Sequence, residues 1–431
     1  MKERLPRPPG LGAYLRAIAG AACVALGSLA VAEARSWNQV LLTIGVTEWG
    51  HVVAALGLAA LGGPRNTPSG RIARGPGLAG AALSLSSLAR GALVARRLPA
   101  QLATAFGDVS PRVAPGAPAR PAPLVLLDVL RGVRSPRARK QRRVYAERDG
   151  LKLALDLYRP DGRRPATDDR RSADRHAQAD EDATRRVRPS RPVASSPTPQ
   201  AACVVVVHGG SWQSGDSRQF PRLNAYLAAR GYVVAAINYR LSPGHRFPAQ
   251  RDDVLAAIGF LKANAAELGI DPTCFVLLGR SAGGHLALLA AYTARDPAIR
   301  GVISFYAPTD LRWGYEHPAR KRVIDGCAVI EAFLGGGPTA LPDTYPAASP
   351  LSFAGAECPP TLLIHGARDN LVSPHQSEML AERLAAAGCR HFYLSLPWAT
   401  HGCDANFSGP SGQISTYAIE RFLAMATGAE R

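Results

Sequence analysis

The segment Gly279-Arg280-Ser281-Ala282-Gly283 constrains the fold more than any other part of the 431-residue chain. An apolar run, 274–278, precedes it, and an Ala- and Leu-rich run, 285–294, follows it. These flanks predict a buried strand that enters a sharp turn and leaves it as a helix. Strand and helix backbones approach closely at such a turn, and a Cβ at either glycine would clash. Ser281 is therefore predicted to lie at the apex of the turn.

From residue 201 onward, solid apolar runs alternate with amphipathic ones. The strand-like runs are 203–207, 233–237, 274–278, 302–306, 361–364 and 392–396, and the helix-like runs are 220–230, 251–268, 282–294, 376–387 and 413–426. Solid apolar strands separated by helices indicate a parallel sheet covered on both faces. The fold class predicted is α/β, a doubly wound and mostly parallel sheet. Two earlier strands, 143–147 and 151–158, would form an antiparallel edge, and 307–358 would form a loop-rich cap.

An uncharged serine is a poor nucleophile, so Ser281 would need a base within hydrogen-bond reach and a group that orients the base. In an open parallel sheet such groups come from loops at the carboxyl ends of strands. Asp369 and His401 each follow a strand-like run, and the order Ser281, Asp369, His401 is typical of a nucleophile–acid–histidine triad in this kind of sheet. Asp310 and Asp404 are the alternative candidates for the acid.

Attack on a carbonyl carbon places negative charge on its oxygen, which backbone N–H groups can stabilise. Gly209 and Gly210 directly follow the 203–207 strand and have no side chain to block a substrate. Together with the N–H of Ala282 they are predicted to form an oxyanion hole. An ordinary Gly-Gly turn is the alternative interpretation.

Several motifs together carry a family resemblance. They are His208-Gly209-Gly210-Ser211-Trp212, Gly215-Asp216, Asn238-Tyr239-Arg240-Leu241-Ser242-Pro243, Phe247-Pro248, Gly279-Arg280-Ser281-Ala282-Gly283-Gly284, Tyr345-Pro346-Ala347-Ala348-Ser349-Pro350 and His365-Gly366-Ala367-Arg368-Asp369. With them, residues 143–427 without 160–200 resemble the hormone-sensitive-lipase and feruloyl/acetyl-esterase-like branch of the α/β-hydrolases. The chain departs from that pattern at Ser211, where a third glycine is common, and in the long polar insertion.

The resemblance implies a serine hydrolase that uses no metal or other cofactor and acts on carboxylic esters, often with short acyl chains. We therefore expect a small-molecule or lipid ester as substrate and an acyl-enzyme intermediate. Two alternatives stay open at this stage. The same triad could cleave amides, as in a peptidase or an arylformamidase, or the fold could be a catalytically silent binding module tethered to a membrane. The sequence does not indicate an oligomeric state.

Residues 1–106 are predicted to form a helical membrane region with apolar segments at 11–32, 40–61 and 77–94. A cleaved signal peptide is the alternative for the first segment. Glu48 and His51 interrupt the second segment, and ionisable groups at that depth usually face a partner helix or water and can mark a functional site. An interfacial or tilted helix is the alternative interpretation of this segment. Basic residues near the N-terminus favour a cytoplasmic N-terminus. The catalytic half would then be extracytoplasmic if the third segment spans the membrane, and cytoplasmic if it does not. Arg96 and Arg97, which follow the third segment, favour the cytoplasmic alternative, and the sequence leaves the choice open.

The formal net charge of +18 lies almost wholly in residues 1–200, which contribute +17. Because this charge flanks the apolar segments and fills linkers, and no nucleic-acid-binding motif accompanies it, we expect no nucleic-acid partner. Residues 107–142, rich in Pro and Arg, are predicted to be a linker before the hydrolase-like domain at 143–431, with a disordered insertion at 160–200. Seven cysteines show no metal-ligand spacing, and their pairing is left open.

Overall fold

The computed structural model describes residues 11–59, 61, 68–111, 119–133, 138–160 and 200–428. In these residues eight strands form one sheet in the order β1-β2-β4-β3-β5-β6-β7-β8. The strands are β1 (Ala138–Arg148), β2 (Leu151–Pro160), β3 (Ala201–Val207), β4 (Val233–Ile237), β5 (Ile270–Arg280), β6 (Ile299–Phe305), β7 (Thr361–Gly366) and β8 (His391–Leu396). From β4 to β8 every pairing is parallel, and β1 and β2 add the antiparallel edge. The predicted α/β class and the mostly parallel doubly wound sheet are confirmed.

Fourteen α-helices accompany the sheet in the described residues. They are α1 (Leu11–Ser28), α2 (Trp37–Glu48), α3 (Gly50–Ala59), α4 (Pro68–Phe106), α5 (Leu126–Arg131), α6 (Pro221–Ala229), α7 (Ala249–Ala263), α8 (Ala265–Leu268), α9 (Ala282–Ala294), α10 (Leu311–Glu316), α11 (Gly326–Leu334), α12 (Thr344–Ala347), α13 (His375–Ala386) and α14 (Pro410–Thr427). Successive side chains of the buried strands point to opposite faces of the sheet, and they belong to two apolar clusters, one on each face. Burial on both faces explains why the parallel strands read as solid apolar runs.

The segment 307–358, predicted to be a loop-rich cap, contains the short helices α10, α11 and α12. It begins at the carboxyl end of β6 and returns to the amino end of β7, which is parallel to β6. The predicted insertion at 160–200 lies outside the described residues except for its two ends.

Three helices of the N-terminal region pack closely through small residues. A Cβ placed on Gly80 of α4 would lie 2.5 Å from the Cys23 carbonyl carbon of α1, and one on Gly57 of α3 would lie 2.7 Å from the Gly77 oxygen of α4. Such contacts need residues without bulk, as in helix pairs packed through small side chains. The Ala30 oxygen, just beyond α1, accepts a hydrogen bond from Arg90 of α4 at 3.1 Å. The pairs 23–80 and 30–90 show that α1 and α4 run in the same direction, and α3 runs against both.

The second predicted apolar segment, 40–61, is broken rather than continuous. Helices α2 and α3 meet at Trp49 with a bend of 78°. Helix α2 packs on the α/β domain, where the Glu48 carboxylate accepts a hydrogen bond from Ser411 Oγ at 2.5 Å and the Glu48 carbonyl accepts one from Asn406 Nδ2 at 2.9 Å. By length and composition one helix in the described residues, 74–106 of α4, could cross a membrane, and the bent α2–α3 pair would be a second.

Candidate active site

Ser281 lies at the apex between β5 and α9 with φ 53° and ψ −123°, a conformation that few non-glycine residues adopt. A Cβ on Gly279 would lie 2.1 Å from the Gly283 oxygen, and one on Gly283 would lie 2.2 Å from the Val207 oxygen. No real Cβ fits at such distances, so both positions require glycine. The turn presents the Ser281 hydroxyl at the carboxyl edge of the sheet.

The structure brings the three predicted triad residues together from three different loops. His401 Nε2 lies 3.0 Å from Ser281 Oγ, and His401 Nδ1 lies 2.7 Å from Asp369 Oδ2. Both distances fall in the range of hydrogen bonds between a nucleophile, a base and an orienting acid. The His401 ring is largely buried and Asp369 is buried, so the surrounding protein holds both groups in place.

Asp369 receives several hydrogen bonds. Its Oδ1 accepts from the backbone N–H groups of Leu371 and Val372 at 2.8 and 3.0 Å, and its Oδ2 lies 3.2 Å from His365 Nε2. Burial alone would raise the pKa of Asp369, but the charge on His401 and the hydrogen bonds from His365 and His401 lower this pKa below the usual range of a carboxyl group. Asp369 therefore stays ionised and can hold one tautomer of His401.

The alternative acid candidates have other contacts. Asp310 Oδ1 caps α10 by accepting from the Trp313 N–H at 3.0 Å. Asp404 binds Arg280 and the Tyr306 hydroxyl and is not within hydrogen-bond distance of His401 in the described contacts.

The oxyanion-hole prediction differs from the structure at one group. The N–H of Gly209 donates to Gln219 Oε1 at 3.2 Å and is therefore already engaged. Gly210 and Ser211 follow with φ 125° and 55°, and no described residue accepts a hydrogen bond from either N–H. Ala282 is the first residue of α9, so no carbonyl of the preceding helical turn faces its N–H. Among the described contacts, the N–H groups of Gly210, Ser211 and Ala282 thus have no protein acceptor.

Sequence reasoning missed a buried ion pair behind the site. Arg280 Nε lies 2.5 Å from Asp404 Oδ2, and the Tyr306 hydroxyl donates to Asp404 Oδ1 at 2.6 Å. Arg280 precedes the nucleophilic serine, and Asp404 follows His401 by three residues. The pair joins the two segments that carry Ser281 and His401. The sequence placed Arg280 directly before Ser281 and offered Asp404 only as an alternative acid, so it did not indicate that the two side chains pair.

A second polar contact supports the Gly209–Trp212 turn. Trp212 Nε1 donates to His285 Nδ1 at 3.2 Å, and His285 Nε2 donates to the Ala348 oxygen at 2.7 Å. Burial lowers the pKa of His285 to about 4, and its hydrogen bond to Ala348 only partly opposes that shift. His285 is thus neutral and joins the turn, α9 and the segment after α12.

A pocket of about 200 Å³ opens beside Ser281. Its wall contains Ser211, Ala282 and Asp369, and its apolar part comes from the cap and the 370–373 segment, with Trp313, Pro318, Ile324, Val329, Ile330, Leu371 and Val372. The pocket therefore adjoins the hydroxyl, the free N–H groups and an apolar lining. An uncharged group could lie there with a carbonyl carbon near Ser281.

Comparison with known proteins identifies relatives of the α/β domain. A family model described as BD-FAE matches residues 193–384. Esterase LipC of Mycobacterium tuberculosis is 34% identical over 242 residues, which cover 53% of this chain and 59% of LipC. The probable carboxylic ester hydrolase LipM of the same organism is 31% identical, covering 53% of this chain and 55% of LipM. The chain thus spans somewhat more than half the length of these relatives.

Among solved structures, an esterase of Pyrobaculum calidifontis is similar with a TM-score of 0.52. The match is 23% identical and covers 68% of this chain and 87% of the esterase chain. At that identity the likeness concerns the fold. About a third of this chain lies outside the match.

Proposed function

We propose that the chain, which has the α/β-hydrolase fold and is similar to hormone-sensitive-lipase-like carboxylesterases, is a serine esterase with Ser281, His401 and Asp369 as its triad. The observation that carries the proposal is the continuous hydrogen-bonded path from Ser281 Oγ through both ring nitrogens of His401 to Asp369 Oδ2. Such a path makes a hydroxyl nucleophilic at neutral pH.

In the acylation half-reaction, Ser281 Oγ forms a bond to the ester carbonyl carbon while its proton passes to His401 Nε2. The tetrahedral intermediate then collapses, the carbon–oxygen bond to the alcohol breaks, and His401 returns the proton to the leaving alkoxide. In deacylation, water gives a proton to His401 Nε2 and attacks the acyl carbon. The bond between that carbon and Ser281 Oγ then breaks, His401 returns the proton to Oγ, and the carboxylic acid leaves. Ionised Asp369 accepts the Nδ1–H throughout and stabilises the imidazolium.

The N–H groups of Gly210, Ser211 and Ala282 are proposed to bind the oxyanion. This assignment replaces Gly209, whose N–H is hydrogen bonded to Gln219. Removing one oxyanion donor typically costs about 10²–10³ in kcat, so three preset donors would supply much of the rate enhancement.

The pocket favours a short acyl group. Its volume of about 200 Å³ is below the roughly 300–1,000 Å³ of sites that enclose drug-sized ligands. The apolar wall around Trp313 and Ile330 suits an uncharged acyl chain. We propose esters of small carboxylic acids as the substrate class.

The test is hydrolysis of p-nitrophenyl esters from acetate to laurate by wild-type protein and Ser281→Ala. We expect activity highest on the short esters and lowered by about 10⁴-fold or more in Ser281→Ala, because triad residues act as a unit. Labelling by a fluorophosphonate probe should disappear in the same variant. Undiminished turnover by Ser281→Ala would refute the proposal, and faster cleavage of aminoacyl anilides than of esters would replace it with amide hydrolysis.

A further inference from the structure

We propose that α1, α3 and the first half of α4 form a bundle inserted in a lipid bilayer, and that this bundle holds the catalytic pocket at the extracytoplasmic surface, where it takes esters of short acids with lipophilic alcohols from the membrane. The inference rests on the proposed esterase function and extends it to the source and class of the substrate.

The exposed apolar surface of the molecule is concentrated on the N-terminal helices. Of the twenty-one exposed large hydrophobic side chains in the described residues, fifteen lie between Leu11 and Leu93. Ten of the fifteen lie on the three bundle helices, for example Leu15, Ile18, Val52, Leu56, Leu78 and Leu85, and the other five lie in 31–49. Water-soluble surfaces rarely carry an apolar patch of more than a few hundred Å², so a patch that surrounds a bundle requires an apolar medium.

The bundle has the height of a bilayer core. Helix α1 has 18 residues and is about 27 Å long, and the part of α4 from 75 to 94 is about 30 Å long, against roughly 30 Å for the hydrocarbon region. Helix α3, with 10 residues, covers about half of that depth. Beyond Leu93, α4 carries the exposed Arg96 and Arg97, so its apolar stretch ends at the level where the bundle meets the α/β domain.

Helix α2 lies nearly perpendicular to the bundle, because it meets α3 at 78°. If α3 follows the bilayer normal, α2 lies in the plane of the surface. Trp37, Leu41 and Leu42 of α2 are exposed, whereas Val40 and Glu48 face the protein. A helix with one apolar outer face and a tryptophan at its start is typical of the membrane interface.

The catalytic pocket adjoins this interfacial helix. Asn370 and Leu371 line the pocket. Asn370 Nδ2 donates to the Ala34 oxygen at 2.9 Å, and Leu371 packs against the cluster of Ala34 and Val40. The triad acid Asp369 directly precedes Asn370. One wall of the pocket is therefore in direct contact with the segment that would lie on the membrane.

The cap, which forms the opposite wall of the pocket, also contacts the segment 33–40. The N–H of Trp37 donates to the Arg322 oxygen at 3.1 Å, and Arg320 forms an ion pair with Glu33 at 3.2 Å. Pro318 and Ile324, which flank this part of the cap, also line the pocket. Since the segment 33–40 contacts both walls, the pocket lies within about one helix diameter, roughly 10 Å, of the membrane surface.

Charge determines the direction of insertion. Helices α1 and α4 both run toward the α/β domain, so both helices begin at the far end of the bundle. In the sequence, basic residues precede both helices, Lys2, Arg4, Arg7 and Arg65, and Arg71 and Arg74 lie in the first turns of α4. Basic loops stay in the cytoplasm, which places the α/β domain on the opposite side. The parallel course of α1 and α4 thus favours the extracytoplasmic alternative of the sequence analysis.

The test compares a soluble with a membrane-borne acetate ester on the full chain reconstituted in vesicles of phosphatidylglycerol and phosphatidylcholine. The substrates are p-nitrophenyl acetate in solution and hexadecyl acetate in the bilayer, with released acetate measured for the second. Leu42→Glu puts a charge on the outer face of α2 and should lower kcat/KM for hexadecyl acetate at least about tenfold, the equivalent of about 1.4 kcal/mol of lost surface contact. Turnover of p-nitrophenyl acetate should be unchanged.

Leu151→Glu is the matched control, since Leu151 of the β1–β2 edge is 46% exposed and Leu42 is 50% exposed. It should alter neither activity. If Leu42→Glu lowers both activities, the milder Leu42→Ser must still lower the hexadecyl acetate activity selectively. Equal effects on both substrates in Leu42→Ser would overturn the inference.

A wild-type protein that cleaves p-nitrophenyl acetate but not hexadecyl acetate overturns the inference alone. A protein that cleaves neither and is not labelled by fluorophosphonate overturns the proposed function, and the inference with it. The direction of insertion is tested by a reporter fused after Arg431 that is active only outside the cytoplasm. An active reporter supports the arrangement, and an inactive one with a cytoplasmic C-terminus refutes it.

Discussion

The strained backbone conformation of Ser281 fixes the direction of its reactive hydroxyl. A non-glycine residue with φ 53° and ψ −123° costs on the order of 1–3 kcal/mol. Two hydrogen bonds hold the residue in place, from its own N–H to the Phe305 oxygen at 2.9 Å and from the His285 N–H to its carbonyl at 3.0 Å. The surrounding strand and helix thereby fix the direction of Oγ before any substrate binds, so little reorganisation is left for the reaction.

His285 provides a pH-dependent prediction at this scale. Burial lowers its pKa from 6.5 to about 4, so between these values the unfolded chain binds a proton that the folded chain does not. The free energy of unfolding must then fall as the pH decreases from 6.5 to 4, with a contribution of up to about 3 kcal/mol at about 1.4 kcal/mol per pKa unit. Chemical denaturation of the full chain in detergent over that pH range measures this loss.

The matched variant is His285→Gln, whose amide can still face Trp212 and the Ala348 oxygen but does not titrate. Its unfolding free energy is expected to be lower at pH 7 and to change less than that of the wild type between pH 6.5 and 4. An identical pH slope in the two proteins would show that His285 does not carry this titration.

At the site, the sequence was sufficient to predict the residues that directly follow the carboxyl end of a strand. Ser281, Asp369 and His401 each follow a parallel strand, so topology alone predicts that they meet. Topology could not predict that the Gly209 N–H is unavailable to an oxyanion, because this N–H donates to the side chain of Gln219. Whether a backbone N–H is available depends on side-chain contacts in the folded protein, and the spacing of residues in a motif does not reveal these contacts.

At the scale of elements, the Arg280–Asp404 pair joins the β5–α9 turn to the segment between β8 and α14. Both side chains are almost fully buried, with 4% and 5% exposure. Removing one partner of a buried pair leaves an uncompensated charge, which typically costs about 3–5 kcal/mol. The pair thus acts as a positioning contact between the turn of Ser281 and the loop of His401.

We predict that Asp404→Asn lowers the unfolding free energy by about 3–5 kcal/mol and reduces kcat, because the loop of His401 loses its attachment. Combining it with Arg280→Met should restore much of the stability, since no buried charge then remains. A double-mutant cycle from chemical unfolding gives the coupling energy. Additive losses in the double variant would mean that the two side chains act independently.

The elements themselves were largely predictable where burial is uniform. All six parallel strands were predicted from solid apolar runs, and their observed ends differ by a few residues. The break at Trp49 was not predicted. Its cause is tertiary, because Glu48 is buried against Ser411, which lies 363 residues later in the chain. An apolar run alone does not reveal so distant a partner. The sequence therefore predicted one segment, 40–61, interrupted by two ionisable residues, and not two helices that meet at an angle.

At the scale of the whole molecule, α4 belongs both to the N-terminal region and to the α/β domain. Its first half packs with α1 and α3, whereas Leu98, Leu102 and Phe106 enter the apolar cluster on one face of the sheet. The Phe106 ring contacts that of Phe422 of α14 edge-on, with centroids 5.3 Å apart. The predicted boundary at residue 106 therefore falls at the end of a helix that both regions share.

If α4 completes the core of the α/β domain, a substitution in its second half should destabilise the catalytic site from a distance. Leu98→Ala removes a fully buried side chain and should lower the unfolding free energy by about 2–5 kcal/mol. Leu93→Ala, on the same helix and 59% exposed, should change it by less than about 0.5 kcal/mol. The measurement is the temperature at which p-nitrophenyl acetate hydrolysis is lost in detergent, which reports the α/β domain and not the helical bundle. Because helix propensity is the same in both substitutions, only packing on the sheet separates them, and equal inactivation temperatures would mean that the domain is stable without α4.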